Sequence, residues 1–414
     1  MTLAARLIRL GLLVAASFLI LAPTAPAQVV APAAAPEVKV RGRLETVDGL
    51  RVLSVWGSAD EQAFAEGWHF AADIVRMFDG YFGSDRVTGG MSWDKMMRPI
   101  ILKRFDFPVE TKAWAKALHQ GITNRMGAAP MSQKLGRALE PEDLLVAVAF
   151  PDLIGLMCSS FAAFGPLAPD EGTIVGRNLD YIGTKELMQE TVAIVHAADE
   201  KRHGWVAFGY PGFAGCLTGV NDAGVFVSIH DVMKKPMKGK HTFTPRFLAL
   251  RDLMESSEPS ADLPKLAREK LSAHRYALGG NGMLAWWKEG QAGAVVLEFD
   301  DRDHQNDGRC TARGPDSGKT YVLCSNHHRS RVAEKIDACT RYSAVDEALS
   351  KRSTPLDLAS AWETIAKSTV DITLHRLVVD LKAGIAEFQY RPEPKAPFTK
   401  AARLSLRTLL AAAK

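Results

Sequence analysis

Downstream of residue 157 the chain delivers short apolar runs one after another, with only turn residues between them. No other feature of the sequence restricts its fold as strongly. "CSSFAAFG" and "GTIVGRNLDY" are divided by "PLAPDE", a strand–turn–strand signal. "ETVAIVHAA", "GWVAFGYPG" and "GCLTGVNDAGVFVSIHDV" continue the series, with Asn221-Asp222-Ala223-Gly224 as a further turn. Helical spacing returns in "PRFLALRDLMESS" and "SADLPKLAREKLSAHRY", and strands resume in "GMLAWWKEGQAGAVVLEFD" and "KTYVLCSNHH". "RVAEKIDACTRYSAVDEALS" and "LDLASAWETIAKS" read as helices, and "TLHRLVVDLKAGIAEFQY" closes as two strands. Before Cys158, a hairpin in "GRLETVDGLRVLSVWG" precedes three helical regions, the last of which, "EPEDLLVAVAFPDLIGLM", runs up to the cysteine. Strands in runs and helices in runs predict an α+β layered protein, not an alternating βαβ one.

The first residues point to export. Arg6 and Arg9 form a short basic region, Leu10 to Ala22 an apolar core, and "APA" ends at Ala27 with the small residues a signal peptidase reads. That apolar core is too short to span a bilayer, which needs roughly 20 residues. Residues 1–27 are therefore expected to be a removable signal peptide, with no stable membrane anchor and a periplasmic or secreted product. The Ala/Pro-rich residues 28–37 cannot bury enough side chain to fold and read as a flexible lead-in. From Val38 on, the globular composition, 47% hydrophobic and 24% charged over the whole chain, leaves ample material for a large core. Loss of Arg6 and Arg9 lowers the formal charge from +4 to +2, which gives no reason to expect a nucleic-acid partner.

Five cysteines, Cys158, Cys216, Cys310, Cys324 and Cys339, leave at least one thiol free in an oxidising compartment. If Cys158 is the odd one, the other four have three pairings open to them, or stay as buried thiols. No His-Glu-x-x-His, Cys-x-x-Cys or Gly-x-Ser-x-Gly is present. "GGNGMLAWW" lacks the residues of a phosphate loop or a dinucleotide fingerprint and its glycines read as a turn. His327 and His328, with His304, make poor metal co-ligands because neighbours on a strand face opposite ways, so neither metal nor cofactor is expected.

Cys158 remains as the reactive group. A thiol needs an electropositive neighbour and a nearby base. Arg177 and Asp180, on the second strand of the hairpin, can fold back onto a residue at the start of the first. A carboxylate paired with Arg is a poor base for sulfur, so Asp180 suits holding an amine. If Cys158 were itself an N-terminus, its own α-amine, titrating near ~8, would supply the base. A buried structural cysteine beside an Arg/Asp pair is the other reading of the same residues.

These residues carry a resemblance. "MCSSFAAFG…DEGTIVGRNLDY" resembles the opening of the autoproteolytic N-terminal nucleophile (Ntn) hydrolases, in the branch holding penicillin V acylases, bile-salt hydrolases, acid ceramidase and isopenicillin-N acyltransferases. "GVNDAGVFVSIHDV", "YVLCSNHH" and "CTRYSAVDEAL" are similar, in order, to further strands and a helix of that family, and "GRLETVDGLRVLSVWGSADEQAFAEGWHF" resembles its acyltransferase pro-segment. The resemblance implies a four-layer αββα sandwich of two antiparallel sheets. It implies self-cleavage between Met157 and Cys158, giving an α piece (38–157 after the lead-in) and a β piece (158–414) that stay associated. Cys158 would be the nucleophile, Arg177 would favour its thiolate, Asp180 would accept from the amine, Asn326 would donate in the oxyanion hole and Arg341 would buttress the site. His230 and Asp231 fall where relatives carry an oxyanion Tyr or Asn, and His327 lies beside Asn326 as a further oxyanion or substrate contact. The implied substrate is a small acyl amide, cleaved or passed to an acyl acceptor through a thioester. The rival expectations are an exported binding protein that keeps the fold without cleaving, and an ester or phospholipid hydrolase on the same scaffold.

Overall fold

The computed structural model describes residues 38–155, 157–232, 240–304, 308–331 and 339–413. Its contacts divide the chain after Lys39, and every described helix and strand belongs to the second unit, Val40–Lys414. The expected signal peptide and lead-in, residues 1–37, lie outside the described residues.

Seventeen strands are described. They are β1 (Gly42–Val47), β2 (Leu50–Val55), β3 (Met131–Ser132), β4 (Arg137–Ala138), β5 (Met157–Phe164), β6 (Thr173–Asp180), β7 (Val192–His196), β8 (Trp205–Gly209) and β9 (Thr218–Asn221). Then come β10 (Val225–Val232), β11 (Gly279–Lys288), β12 (Gln291–His304), β13 (Gly308–Arg313), β14 (Tyr321–Cys324), β15 (Thr373–Asp380), β16 (Ile385–Tyr390) and β17 (Ala402–Ser405). Nine of them form one sheet in the order β1-β2-β7-β8-β9-β10-β11-β12-β13, and six form a second in the order β14-β5-β6-β15-β16-β17. One pairing departs from the expected antiparallel pattern, β2 with β7, which run parallel across a long crossover that holds the helices upstream of Cys158 and the β5–β6 hairpin.

Alternation along the strands sorts the layers. Val52, Ala193, Val206, Phe226 and Met283 of the large sheet meet Ala162, Val175, Leu377 and Phe388 of the small one in a shared core between the sheets. The opposite face of the large sheet presents Leu53, Val225, Val227 and Leu284 to the helices. Phe161, Ala163, Ile174 and Val378 on the outer face of the small sheet pack against Tyr342, Val345, Ala361 and Ile365. Those four residues belong to the helices Thr340–Ser350 and Leu358–Ala366. The architecture is α+β, in four layers ordered helix, sheet, sheet, helix.

The acidic turn that opens the helix Ala59–His69 is a capping box: Ser58 accepts from the Glu61 N–H, and Glu61 accepts from the Ser58 N–H. This helix crosses Val109–Met126 at two glycines. A Cβ on Gly67 would lie 2.1 Å from the Leu118 carbonyl oxygen, and one on Gly121 2.1 Å from that of Phe64. The glycines of "GGNGMLAWW" are a correction: Gly279–Lys288 is strand throughout. The missing side chain at Gly280 leaves room for the Phe299 ring, whose nearest atom would stand 2.7 Å from a Cβ there.

Glu66 of the first helix is buried and accepts the Gly212 N–H at 2.7 Å. Burial pushes its carboxyl up to about 7, against smaller opposing effects of the Gly212 N–H and Arg251. Because the folded value lies above the unfolded one of 4.5, the folded state binds the extra proton. Stability is therefore lost as pH rises from about 4.5 through about 7, by about 3 kcal/mol at most. Glu66→Gln keeps the acceptor and removes the ionisation. The variant is expected to gain on wild type between pH 5 and pH 8 in urea denaturation, and parallel pH profiles would contradict this.

Candidate active site

Cys158 is the second residue of β5, with its side chain buried. The hairpin register sets Met157 opposite Asp180, Cys158 opposite Leu179 and Ser160 opposite Arg177. Residues 158 and 160 share one face of β5, and 177 and 179 the same face of β6. Arg177 thus comes diagonally under the thiol, with Nη2 3.6 Å from Cys158 Sγ. Its Nη1 donates to the Ile229 carbonyl at 2.9 Å across the inter-sheet space.

Two residues from far along the chain close on the Cys158 backbone. Asn326 Oδ1 accepts the Cys158 N–H at 2.8 Å, and Arg341 Nη1 donates to the Cys158 carbonyl at 3.0 Å. Arg341 also donates to Asp180 Oδ2 at 2.7 Å and to Asn326 Oδ1 at 2.9 Å, while Thr373 Oγ1 donates to Asp180 Oδ1 at 2.6 Å. In this uncut chain Asp180 is therefore held by Arg341 and Thr373, and the Cys158 N–H goes to Asn326. Two donors on Oδ1 fix the Asn326 amide, and its Nδ2 donates to the Asp231 carbonyl at 2.7 Å. The N–H expected in an oxyanion hole is engaged here.

Electrostatics favour the protonated thiol in this structure. Burial pushes Cys158 up to about 11, opposed by Arg177 and reinforced by Asp180 and Asp231. Burial likewise raises Asp180 to about 6, against the Thr373 hydrogen bond and Arg341.

His230 and Asp231 are placed differently from the expectation of an oxyanion role. His230 is fully buried, and its Nε2 faces Ser160 Oγ at 2.7 Å and Arg177 Nη1 at 3.3 Å. Since a guanidinium only donates, that nitrogen is an acceptor. Burial, then Arg177, drive the ring's pKa well below the usual histidine range, so it is neutral and supports Arg177 from beneath. Asp231 accepts from Arg246 Nη1 at 2.8 Å, and a carboxylate so paired cannot donate to an oxyanion. Arg246 also pairs with Asp152, and all three side chains are completely buried. The His327 ring lies tilted against that of Tyr342, with centroids 5.5 Å apart, and bears on Cys339 instead of Cys158.

Sequence reasoning missed the residues that hold the Asn326 loop. Asn281 Nδ2 donates to the carbonyls of Ser325 and His327 at 2.8 and 2.9 Å. Across β11–β12 from it, Glu298 accepts the N–H groups of Arg329, Ser330 and Arg331 at 2.9, 2.8 and 3.2 Å. The signal lay in the Asn of "GGNGMLAWW" and the Glu of "VVLEFD", two polar residues inside apolar strands.

All five cysteines are free, so none of the three pairings left open forms. No group of three or more metal-binding side chains occurs among the described residues. One thiol is held low, Cys339, at the N-cap of Thr340–Ser350. Burial raises it, but hydrogen bonds from His327 and Ser325, with Arg341 nearby, bring it down to about 6. Iodoacetamide at pH 7 is accordingly expected to label Cys339 at least about tenfold faster than Cys216 or Cys324, whose thiols burial pushes up, because the thiolate is the nucleophile. Peptide mass mapping checks this, and a fast phase that survives Cys339→Ser would contradict it.

No family model matches the sequence, and no curated protein does. Among solved structures, an N-acylethanolamine-hydrolyzing acid amidase ortholog from Caenorhabditis elegans is similar at 17% identity and a TM-score of 0.41, over 54% of this chain and 93% of that one. Penicillin V acylase from Agrobacterium tumefaciens is similar at 12% identity and a TM-score of 0.38, over 60% of this chain and 88% of that one. A single-residue variant of conjugated bile acid hydrolase from Clostridium perfringens is similar at 11% identity and a TM-score of 0.38, over 61% of this chain and 94% of that one. Likenesses this distant carry no argument about activity. The geometry around Cys158 has to carry it.

Proposed function

We propose that this chain is an exported N-terminal nucleophile hydrolase that cuts itself between Met157 and Cys158 and then cleaves a linear amide through a Cys158 thioester. The observation that carries the reading is the convergence of Arg177, Asn326 and Arg341 on Cys158, with Asp180 held by Arg341. Arg177 meets the sulfur, Asn326 the backbone nitrogen and Arg341 the carbonyl. A merely structural cysteine has no need of a cation on its sulfur and side-chain partners on both its backbone groups.

In the first reaction Sγ attacks the Met157 carbonyl carbon, the C–S bond forms, the C–N bond to Cys158 breaks, and the nitrogen takes up the thiol proton to leave as a free amine. Water then hydrolyses the thioester, leaving the Met157 carboxylate and the Cys158 thiol. The new α-amine, titrating near ~8, takes the thiol proton. Its protonated form adds a positive charge on the same residue as the sulfur, which offsets Asp180 and Asp231, the carboxylates that disfavour thiolate in the uncut chain. In the second reaction the thiolate attacks the substrate carbonyl, the α-ammonium protonates the leaving amine, and water or a second amine accepts the acyl group. The donor Asn326 would offer the developing oxyanion is Nδ2, which first has to leave the Asp231 carbonyl; one such donor is worth roughly 10²–10³ in rate.

The test is acyl-enzyme trapping. Incubation of the processed protein with an acyl coumarin amide, followed by acid quench, is expected to add the acyl mass to the peptide that begins at Cys158. Amide turnover with no acyl mass on that peptide would refute the mechanism.

A further inference from the structure

A narrow apolar cavity lies beside the nucleophile. Ile74, Met77 and Phe78 of the pro-segment form one wall, and Leu179, Pro211 and Phe213 contribute to the other. Its cavity volume is about 50 Å³. The space is a slot and not a chamber. Leu179 is the cross-strand partner of Cys158, and both side chains join the same packed cluster, so the slot starts next to the thiol. Residues 210–213 of "AFGYPGFAG" belong to the lining.

Three tyrosines interrupt the apolar lining, namely Tyr81, Tyr181 and Tyr210. The hydroxyls of Tyr181 and Tyr210 are buried, and each has one hydroxyl neighbour, Tyr81 beside Tyr181 and Thr191 beside Tyr210, in hydrogen bonds of poor alignment. Tyr181 as a whole is only 6% exposed. Burial holds both phenols protonated, so they are available as donors. A buried hydroxyl that is poorly bonded gains from a well-placed oxygen on a bound molecule. No charged side chain among the described residues lines the slot, so a carboxylate or phosphate would be unmatched there.

We propose that this slot binds the acyl group of the substrate and selects acyl groups that carry an uncharged oxygen, a hydroxyl or an oxo group, on an otherwise apolar, unbranched frame. The proposal rests on Cys158 being the acyl-accepting nucleophile. Tyr181 and Tyr210 donate to that oxygen, and the walls exclude water from the rest of the chain.

The experiment compares the processed wild type with Tyr181→Phe and Tyr210→Phe on one series of acyl coumarin amides. The series holds plain octanoyl and octanoyl chains bearing a hydroxyl or oxo group at successive carbons. In wild type the best oxygenated substrate is expected to exceed plain octanoyl by about 5–10-fold in kcat/KM, the worth of one net hydrogen bond. In the Phe variants this ratio falls toward one. A ratio within one preparation remains readable if a variant folds in lower yield. Equal kcat/KM across the series, with Cys158 still acylated by mass, overturns the selectivity and leaves the nucleophile standing. Absence of acylation by every member overturns both.

Discussion

Cys158→Ala is expected to leave one uncut chain where wild type yields two pieces. In proportion to the 45.1 kDa of the whole sequence, residues 28–157 and 158–414 correspond to about 14 and 28 kDa, read by intact mass and denaturing electrophoresis. The effect should be all or none, because Cys158 is the thiol joined to the Met157 carbonyl by the bond to be cut, and Arg177 flanks its sulfur at 3.6 Å. Cys324 is also buried, but it lies on β14 opposite Ser160, and burial raises its thiol without a guanidinium at hydrogen-bond distance. Alanine removes one sulfur from a packed site, so the uncut variant is expected to fold. A single chain in both proteins would instead make the non-cleaving binding protein the leading reading. Two pieces in both would assign the cut to another protease.

The second large effect is on stability, and it also concerns the cut. Arg246 is buried with Asp152 and Asp231. It also donates to the Gly279 carbonyl at 2.7 Å. Asp152 lies upstream of the proposed cut and Arg246 downstream of it, so the pair spans the two pieces. Arg246→Met removes the cation that bridges both carboxylates and should cost about 3–5 kcal/mol, the usual penalty for stranding one side of a buried ion pair. Burial already pushes Asp152 up to about 6, with Arg246 opposing. Without Arg246 the carboxyls must take up protons, so the loss should be greater at pH 8 than at pH 5. Adding Asp152→Asn should recover part of it. Urea denaturation at the two pH values decides the matter; a loss below about 1 kcal/mol, or one independent of pH, would mean that water reaches the site.

The hairpin β5–β6 was legible because two apolar runs flank a turn whose Asp170 and Glu171 adopt positive φ, 48° and 56°. The helices before Cys158 were legible from spacing and an acidic first turn. The strand at Gly308–Arg313 was not, since "GRCTAR" has little apolar alternation and is stabilised by its pairing with β12. The parallel contact of β2 with β7 was equally invisible, because no local pattern records which distant strand a sheet edge will accept.

For the site, the sequence by itself determined the residue types, their order along the chain and the placement of Cys158, Arg177 and Asp180 on one hairpin, because register within a hairpin follows from turn length and side-chain alternation. Only the tertiary structure decided who touches what. It brought Asn326 and Arg341 onto the Cys158 backbone and turned His230 inward beneath Arg177. It gave Asp231 to Arg246 and set the hydroxyls of Tyr181 and Tyr210 in an apolar slot. Such contacts depend on how two sheets and the pro-segment helices pack face to face, and that packing is a property of the whole core that no short stretch of sequence encodes.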